Sequence, residues 1–164
     1  MKKKQNKGFT LVELIIVVAI IALLAAATFV ATNPAKRIGQ ANDAQRWSDI
    51  SAIADAWAAY VADNGGSNAT SSPCISGNIN CMISTLDGAT STTSANTACA
   101  STTNGTIWLD PLVAGSYIGD IPYDPQSSGG TGTTTGYFFH KDANGAVVVG
   151  SCAKYQTNTI EITR

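Results

Sequence analysis

Residues 8–31 read GFTLVELIIVVAIIALLAAATFVA, and Glu13 is the one charged residue among them. From Leu14 to Ala31 no side chain carries charge. At about 1.5 Å per residue that run is roughly 27 Å long, close to the hydrocarbon thickness of a bilayer. It predicts a helix that is apolar all round, which must be buried in lipid or in protein. Glu13 stands against that background. A carboxylate inside hydrocarbon costs about 2.5–3.5 kcal/mol even on forgiving insertion scales, so an acid placed there marks function by default. Lys2, Lys3, Lys4 and Lys7 precede the run. That charge bias predicts a cytoplasmic N-terminus and translocation of everything that follows. An ordinary secretory signal would be cut after its apolar run, where Ala25, Ala26 and Ala27 offer small residues. Here the small residue Gly8 lies before the run, and a secretory signal gains nothing from Glu13.

The string GFTLVE around Glu13 closely resembles the cleavage and methylation signal of type IV prepilins and of the pseudopilins of secretion systems. The resemblance implies that a prepilin peptidase cuts between Gly8 and Phe9 on the cytoplasmic side and that Phe9 becomes the N-methylated N-terminus. It also implies that Glu13, one helical turn away, pairs in a filament with the Phe9 amine of a neighbouring copy. The implied fold is α+β and type IV pilin-like. A long N-terminal α-helix, membrane-spanning in its first half, packs on a C-terminal antiparallel β-meander. The string NPAKRIGQANDAQRWSDI is similar to the region that follows the membrane segment in many pilin-like proteins. The expected organisation is a leader at 1–8, a transmembrane and assembly helix at 9–32 and an extracytoplasmic domain at 33–164. That domain divides into an amphipathic helix to about 64, a variable Ser/Thr-rich loop at 65–106 and a sheet at 107–164.

Composition narrows the function classes. A chain of 164 residues leaves room for one soluble domain beyond the apolar segment. Loss of residues 1–8 takes away four positive charges and no acid, carrying the formal charge from −1 to −5. The remaining basic residues (Lys36, Arg37, Arg46, Lys141, Lys154, Arg164) are scattered. An acidic body without a basic cluster argues against a nucleic-acid partner.

Beyond the apolar run, Asn33-Pro34 predicts either a kink or the opening of a second helix at its first turn. Trp47, Ile50, Ile53, Ala54, Trp57, Tyr60 and Val61 then recur at spacings of three and four, which is one apolar stripe of a helix. Trp47 and Trp57 are expected in the core against a sheet. Asp43, Asp49, Asp55 and Asp63 fall on other faces, and Asn64-Gly65-Gly66 is a stop signal. On this reading Phe9 to about Asn64 forms one long kinked helix.

Cys74, Cys81, Cys99 and Cys152 all follow the membrane segment, on the predicted outer side where disulfides persist. Four cysteines allow three connectivities. The short loop Cys74–Cys81 is favoured, which leaves Cys99–Cys152. Zinc would want tighter Cys pairs and usually histidine. Residues 66–106 are rich in Ser, Thr, Asn, Gly and Ala and have little to bury.

Strand signals come late, at Tyr137–His140, Ala146–Gly150 and Thr159–Thr163, with a short one at Thr106–Leu109. Asp142-Ala143-Asn144-Gly145 is a hairpin signal between the first two of these runs. Ile121-Pro122-Tyr123-Asp124-Pro125, followed by Gly136-Tyr137, resembles a segment of the major pseudopilins of type II secretion. In that family a nearby loop binds calcium, and the resemblance implies Asp124, Asp142 and Asn144 as oxygen ligands. The dense acidic set that calcium wants is not visible, and turns at Asp-Pro and Asn-Gly are the favoured reading. The spacing gives no metal site, and no cofactor is expected beyond the calcium that the resemblance implies. His140 is expected on a strand. No Ser, Cys or carboxylate constellation surrounds it, and GGTGTTTG at 129–136 lacks the Lys of a phosphate loop, so no enzyme is expected.

The expected function is therefore that of a structural subunit of a type IV pilus or pilus-like filament. Its partners would be further copies of itself, the prepilin peptidase, an assembly platform and the membrane. The chain would be a single-pass membrane protein before assembly, and part of an extracellular or periplasmic filament afterwards. The alternatives are a major pseudopilin of a type II secretion-like system and, in a different class, a monomeric membrane-anchored binding domain, which gives no reason for Glu13.

Overall fold

The structure is a computed structural model that describes residues 8–70, 73–75, 81–85, 105–126, 135–156 and 159–164. The chain forms two compact units, one ending at Ile38 and one running from Gly39 to Arg164. The class is α+β.

The first unit is built on α1 (Leu11–Thr32), none of whose residues is buried. It is long and apolar enough to cross a membrane. The expected continuous helix is interrupted at Asn33, which takes a left-handed conformation (φ 41°). Asparagine tolerates that region better than most L-residues. Asn33 ends α1 and also starts α2 (Pro34–Asp63), because its Oδ1 accepts the Lys36 N–H at 3.3 Å and its carbonyl accepts the N–H groups of Lys36 and Arg37. Pro34 sits at the first helical position, where a missing N–H costs nothing. The break thus follows the second of the two outcomes that Pro34 predicted.

The second unit packs α2 against one face of a five-stranded sheet. The strands are β1 (Cys81–Ser84), β2 (Thr106–Trp108), β3 (Tyr137–Lys141), β4 (Val147–Ser151) and β5 (Glu161–Thr163), in the spatial order β2-β1-β3-β4-β5. β3, β4 and β5 form the expected antiparallel meander, β1 adds antiparallel to β3, and β2 lies parallel to β1 at the edge. A helix of five residues, α3 (Asp110–Ala114), follows β2 and seats Leu112 in the core. β1 and α3 were not foreseen. β1 is a four-residue run, CMIS, inside the segment read as variable loop. A strand that short and buried along its whole length has no alternation to announce it.

Ile50, Ile53, Ala54 and Trp57 of α2 are buried, and Tyr60 and Val61 pack beside them. The Trp57 ring meets Phe139 with centroids 4.7 Å apart. Strand register lines up Cys81, Phe139, Val149 and Ile162 as one row across the sheet, and the row Ile107, Ile83, Tyr137 and Ser151 lies beside it. Trp47 departs from expectation, since it is 43% exposed. The inward stripe of α2 runs back from Ile50 through Arg46 and Asp43, both buried, so that Trp47 falls beside the stripe. α2 stops at Asp63, as Asn64-Gly65-Gly66 predicted, with both glycines at positive φ.

Candidate functional site

The N-terminal site is assembled by three consecutive decisions of the chain. Phe9 is 86% exposed ahead of the helix. Thr10 takes an extended conformation and caps α1, its Oγ1 accepting the Glu13 N–H at 3.2 Å. Glu13 returns the bond, its Oε2 accepting the Thr10 N–H at 2.9 Å and the Thr10 hydroxyl at 2.8 Å. This is a capping box, in which each residue satisfies a backbone donor that the helix end would otherwise leave open. None of the hydrogen bonds among the described residues reaches Glu13 Oε1. The acid is thus half-engaged: one oxygen is fixed by its own turn, and the other takes no part in the cap. Gly8 precedes this cap, and a Cβ placed on it would meet nothing within 4 Å among the described residues.

A second polar cluster lies within the Gly39–Arg164 unit, and sequence reasoning missed it. Arg46 is fully buried. Its Nε and one terminal nitrogen donate to the two oxygens of Asp124 at 2.7 and 2.9 Å, and its other terminal nitrogen donates to Asp43 at 2.8 Å. Gln126 Oε1 accepts a further bond at 2.8 Å. Asp124 also accepts the Gln126 N–H and the Ser151 hydroxyl. Asp43 accepts the N–H groups of Tyr155 and Gln156. One guanidinium therefore joins α2 to residues 121–126 and 151–156. Burial pushes both carboxyls up, but the hydrogen bonds and the Arg46 charge outweigh it, so Asp43 and Asp124 titrate below the ordinary aspartate range. The signal was in the spacing: residues 39, 43, 46, 50, 53 and 57 alternate by four and three, so an acid and an arginine occupy an inward stripe.

Two glycines make room for this cluster. A Cβ on Gly39 would lie 2.3 Å from the Tyr155 ring, and a Cβ on Gly136, which holds φ +86°, would lie 2.7 Å from Asp124 Cβ.

The residues named as calcium ligands are placed differently. Asp124 gives its oxygens to a guanidinium. Asp142 Oδ1 accepts the N–H groups of Asn144 and Ala146 inside the hairpin turn that joins β3 to β4. Asp142 and Asn144 share that turn. Among the described residues no three His, Cys, Asp or Glu side chains gather to hold a metal ion. His140 lies on β3, its ring stacked over Phe138, with Nδ1 buried and without a hydrogen-bond partner among the described residues.

Cys74 and Cys81 form a disulfide with their Cα atoms 5.8 Å apart, the expected pairing. Cys152 is disulfide-bonded as well. Cys99, its expected partner, lies outside the described residues.

Residues 3–29 match the family model of the prokaryotic N-terminal methylation motif. The chain thus carries the prepilin-type N-terminal signal, and the apolar α1 that the match overlaps fits membrane anchoring. No curated protein and no solved structure matches the chain.

Proposed function

We propose that this chain is the structural subunit of a type IV pilus or pilus-like filament. A prepilin peptidase removes residues 1–8, Phe9 is methylated at its new amine, and α1 holds the subunit in the membrane with that amine on the cytoplasmic side. Polymerisation then moves α1 from lipid into a bundle of like helices on an assembly platform. The observation that carries the reading is the pairing of an entirely exposed apolar helix with one acid at its first turn, inside the matched motif.

The physical logic is a trade of environments. An α-amino group is cationic below about pH 7.7–8.0. Glu13 Oε1 of an entering subunit meets the Phe9 amine of a copy already in place, and two costly lone charges become one pair. Such a pair adds little net stability, but a mismatched register strands both charges, so it selects the correct register.

The test is Glu13→Ala, read by processing and by filament yield. Normal removal of residues 1–8 with loss of filaments supports the reading, undiminished filaments overturn the role given to Glu13, and a wild-type chain that forms no filaments decides for a solitary anchored domain. The segment from Ile121 to Pro125 keeps the pseudopilin as the second reading. Long surface fibres decide for a pilin, and fibres confined to the periplasm decide for a pseudopilin.

A further inference from the structure

Two facts about Cys152 stand apart from filament assembly. Its Sγ lies 3.5 Å from Met82 Sδ, and Met82 directly follows Cys81 on β1. Neighbouring residues on a strand point to opposite faces. Cys81 shares the row of Phe139 and Val149 that packs toward α2, so Met82 and the Cys152 sulfur lie on the other side of the sheet. The residue that the Cys152 sulfur touches is thus the immediate chain neighbour of Cys81, which faces the other way.

The segment that carries Cys152 is tied down on both flanks. The Ser151 hydroxyl shares its one proton between Asp124 Oδ2 at 3.3 Å and the Ala153 carbonyl at 2.8 Å, and its N–H donates to the Ile160 carbonyl. Cys152 itself donates its N–H to the Gly136 carbonyl at 3.1 Å. Beyond it, the N–H groups of Tyr155 and Gln156 converge on Asp43 at 2.9 and 3.0 Å. Both carboxylates are held by Arg46.

We propose that the Arg46–Asp43–Asp124 cluster is a template for oxidative folding: it fixes residues 151–156 so that Cys152 is presented on the Met82 side of the sheet and is kept from Cys81. Two thiols then join, releasing two protons and two electrons. The electrons pass to a disulfide oxidant such as oxidised glutathione through a mixed disulfide, and the oxidant's own sulfur–sulfur bond breaks to give two thiols. Asp43 and Ser151 are positioning residues in this step, and neither touches sulfur.

The experiment is refolding of the reduced, full-length chain in detergent with reduced and oxidised glutathione, followed by mass mapping of disulfide-linked peptides. Asp43→Asn and Ser151→Ala loosen the segment while leaving the Arg46–Asp124 pair in place. Asp55→Asn, which removes an exposed ion pair with Arg164, is the control. Wild type and control are expected to give Cys74–Cys81 with Cys152 in one further bond. Loss of one net hydrogen bond corresponds to about fivefold in an equilibrium, so the two test variants are expected to show about that increase in species joining Cys152 to Cys81 or Cys74. As a second measure, dithiothreitol should open the Cys152 disulfide of natively purified Asp43→Asn faster than that of wild type. A wild-type map together with a wild-type opening rate, or an equal rise in mispairing in the control, overturns the proposal.

Discussion

Glu13 Oε2 takes both protons that Thr10 has to give, at 2.9 Å from the backbone and 2.8 Å from the hydroxyl. The acid on which the filament reading depends is therefore oriented by a residue of its own helix turn. Those bonds do not depend on residues 1–8, because every atom in them belongs to Thr10 or Glu13.

Thr10→Val keeps the shape of the side chain and deletes the cap, which costs about 1 kcal/mol at a helix N-terminus. Under the filament reading, Glu13 then loses its fixed orientation, and the yield of sheared filaments falls. Thr10→Ser restores the hydroxyl and the yield. Equal yields from the two variants would remove Thr10 from the mechanism.

Arg46→Met leaves Asp124 and Asp43 charged, buried and without their cation. Breaking a buried pair from one side costs about 3–5 kcal/mol, whereas replacing both partners with apolar groups is often much cheaper. Thermal or urea unfolding should show that loss for the single variant. Arg46→Met combined with Asp124→Leu should recover a substantial part of it.

Acid should loosen the same cluster. Both carboxyls titrate lower in the fold than in the unfolded chain, whose aspartates have a pKa of about 3.9. The stability they supply is complete above that value and declines as pH falls through the lower, folded range. At the alkaline end, burial and the bond to Asp49 at 2.6 Å push the Tyr137 phenol well above its ordinary value of about 10. That contribution is whole below about pH 10 and is lost as pH rises beyond it. Unfolding curves measured across pH, with tyrosinate absorbance, check both limbs.

The two tryptophans of α2 should part company. Trp57 is 3% exposed and its ring is packed at a tilt against Phe139, so Trp57→Ala should cost about 3–5 kcal/mol. Trp47 is nearly half-exposed, and Trp47→Ala should stay within about 0.5–1 kcal/mol of wild type. Unfolding midpoints measure the difference directly.

Gly136→Ala should destabilise the domain, because its positive φ is strained for any L side chain and the new methyl presses on Asp124. The loss is expected at about 1–3 kcal/mol. An unchanged midpoint would mean that this turn rearranges freely.

The legible parts of the chain were those written in long-period patterns. The apolar run, its lone acid, the stripe Ile50–Ile53–Trp57, the double-glycine stop, the Asn-Gly hairpin and the late strands each state a local preference that packing then honours. What stayed hidden required knowing which distant segment arrives. β1 is four buried residues with no period of its own. Asp43 and Arg46 look like surface charges until Asp124, many residues further on, is brought against them. Trp47 looked like core because the stripe was extended backward through the large residue. The inward position one residue earlier belongs to Arg46.

The counter-charge of Asp124 is tethered to the backbone through the side chain of Arg46. A freely exchanging ion departs in proportion to its dilution, but this one cannot wash away. The clasp between residues 121–126, residues 151–156 and α2 therefore draws its positive charge from the chain itself, and neither dilution nor a chelator removes it.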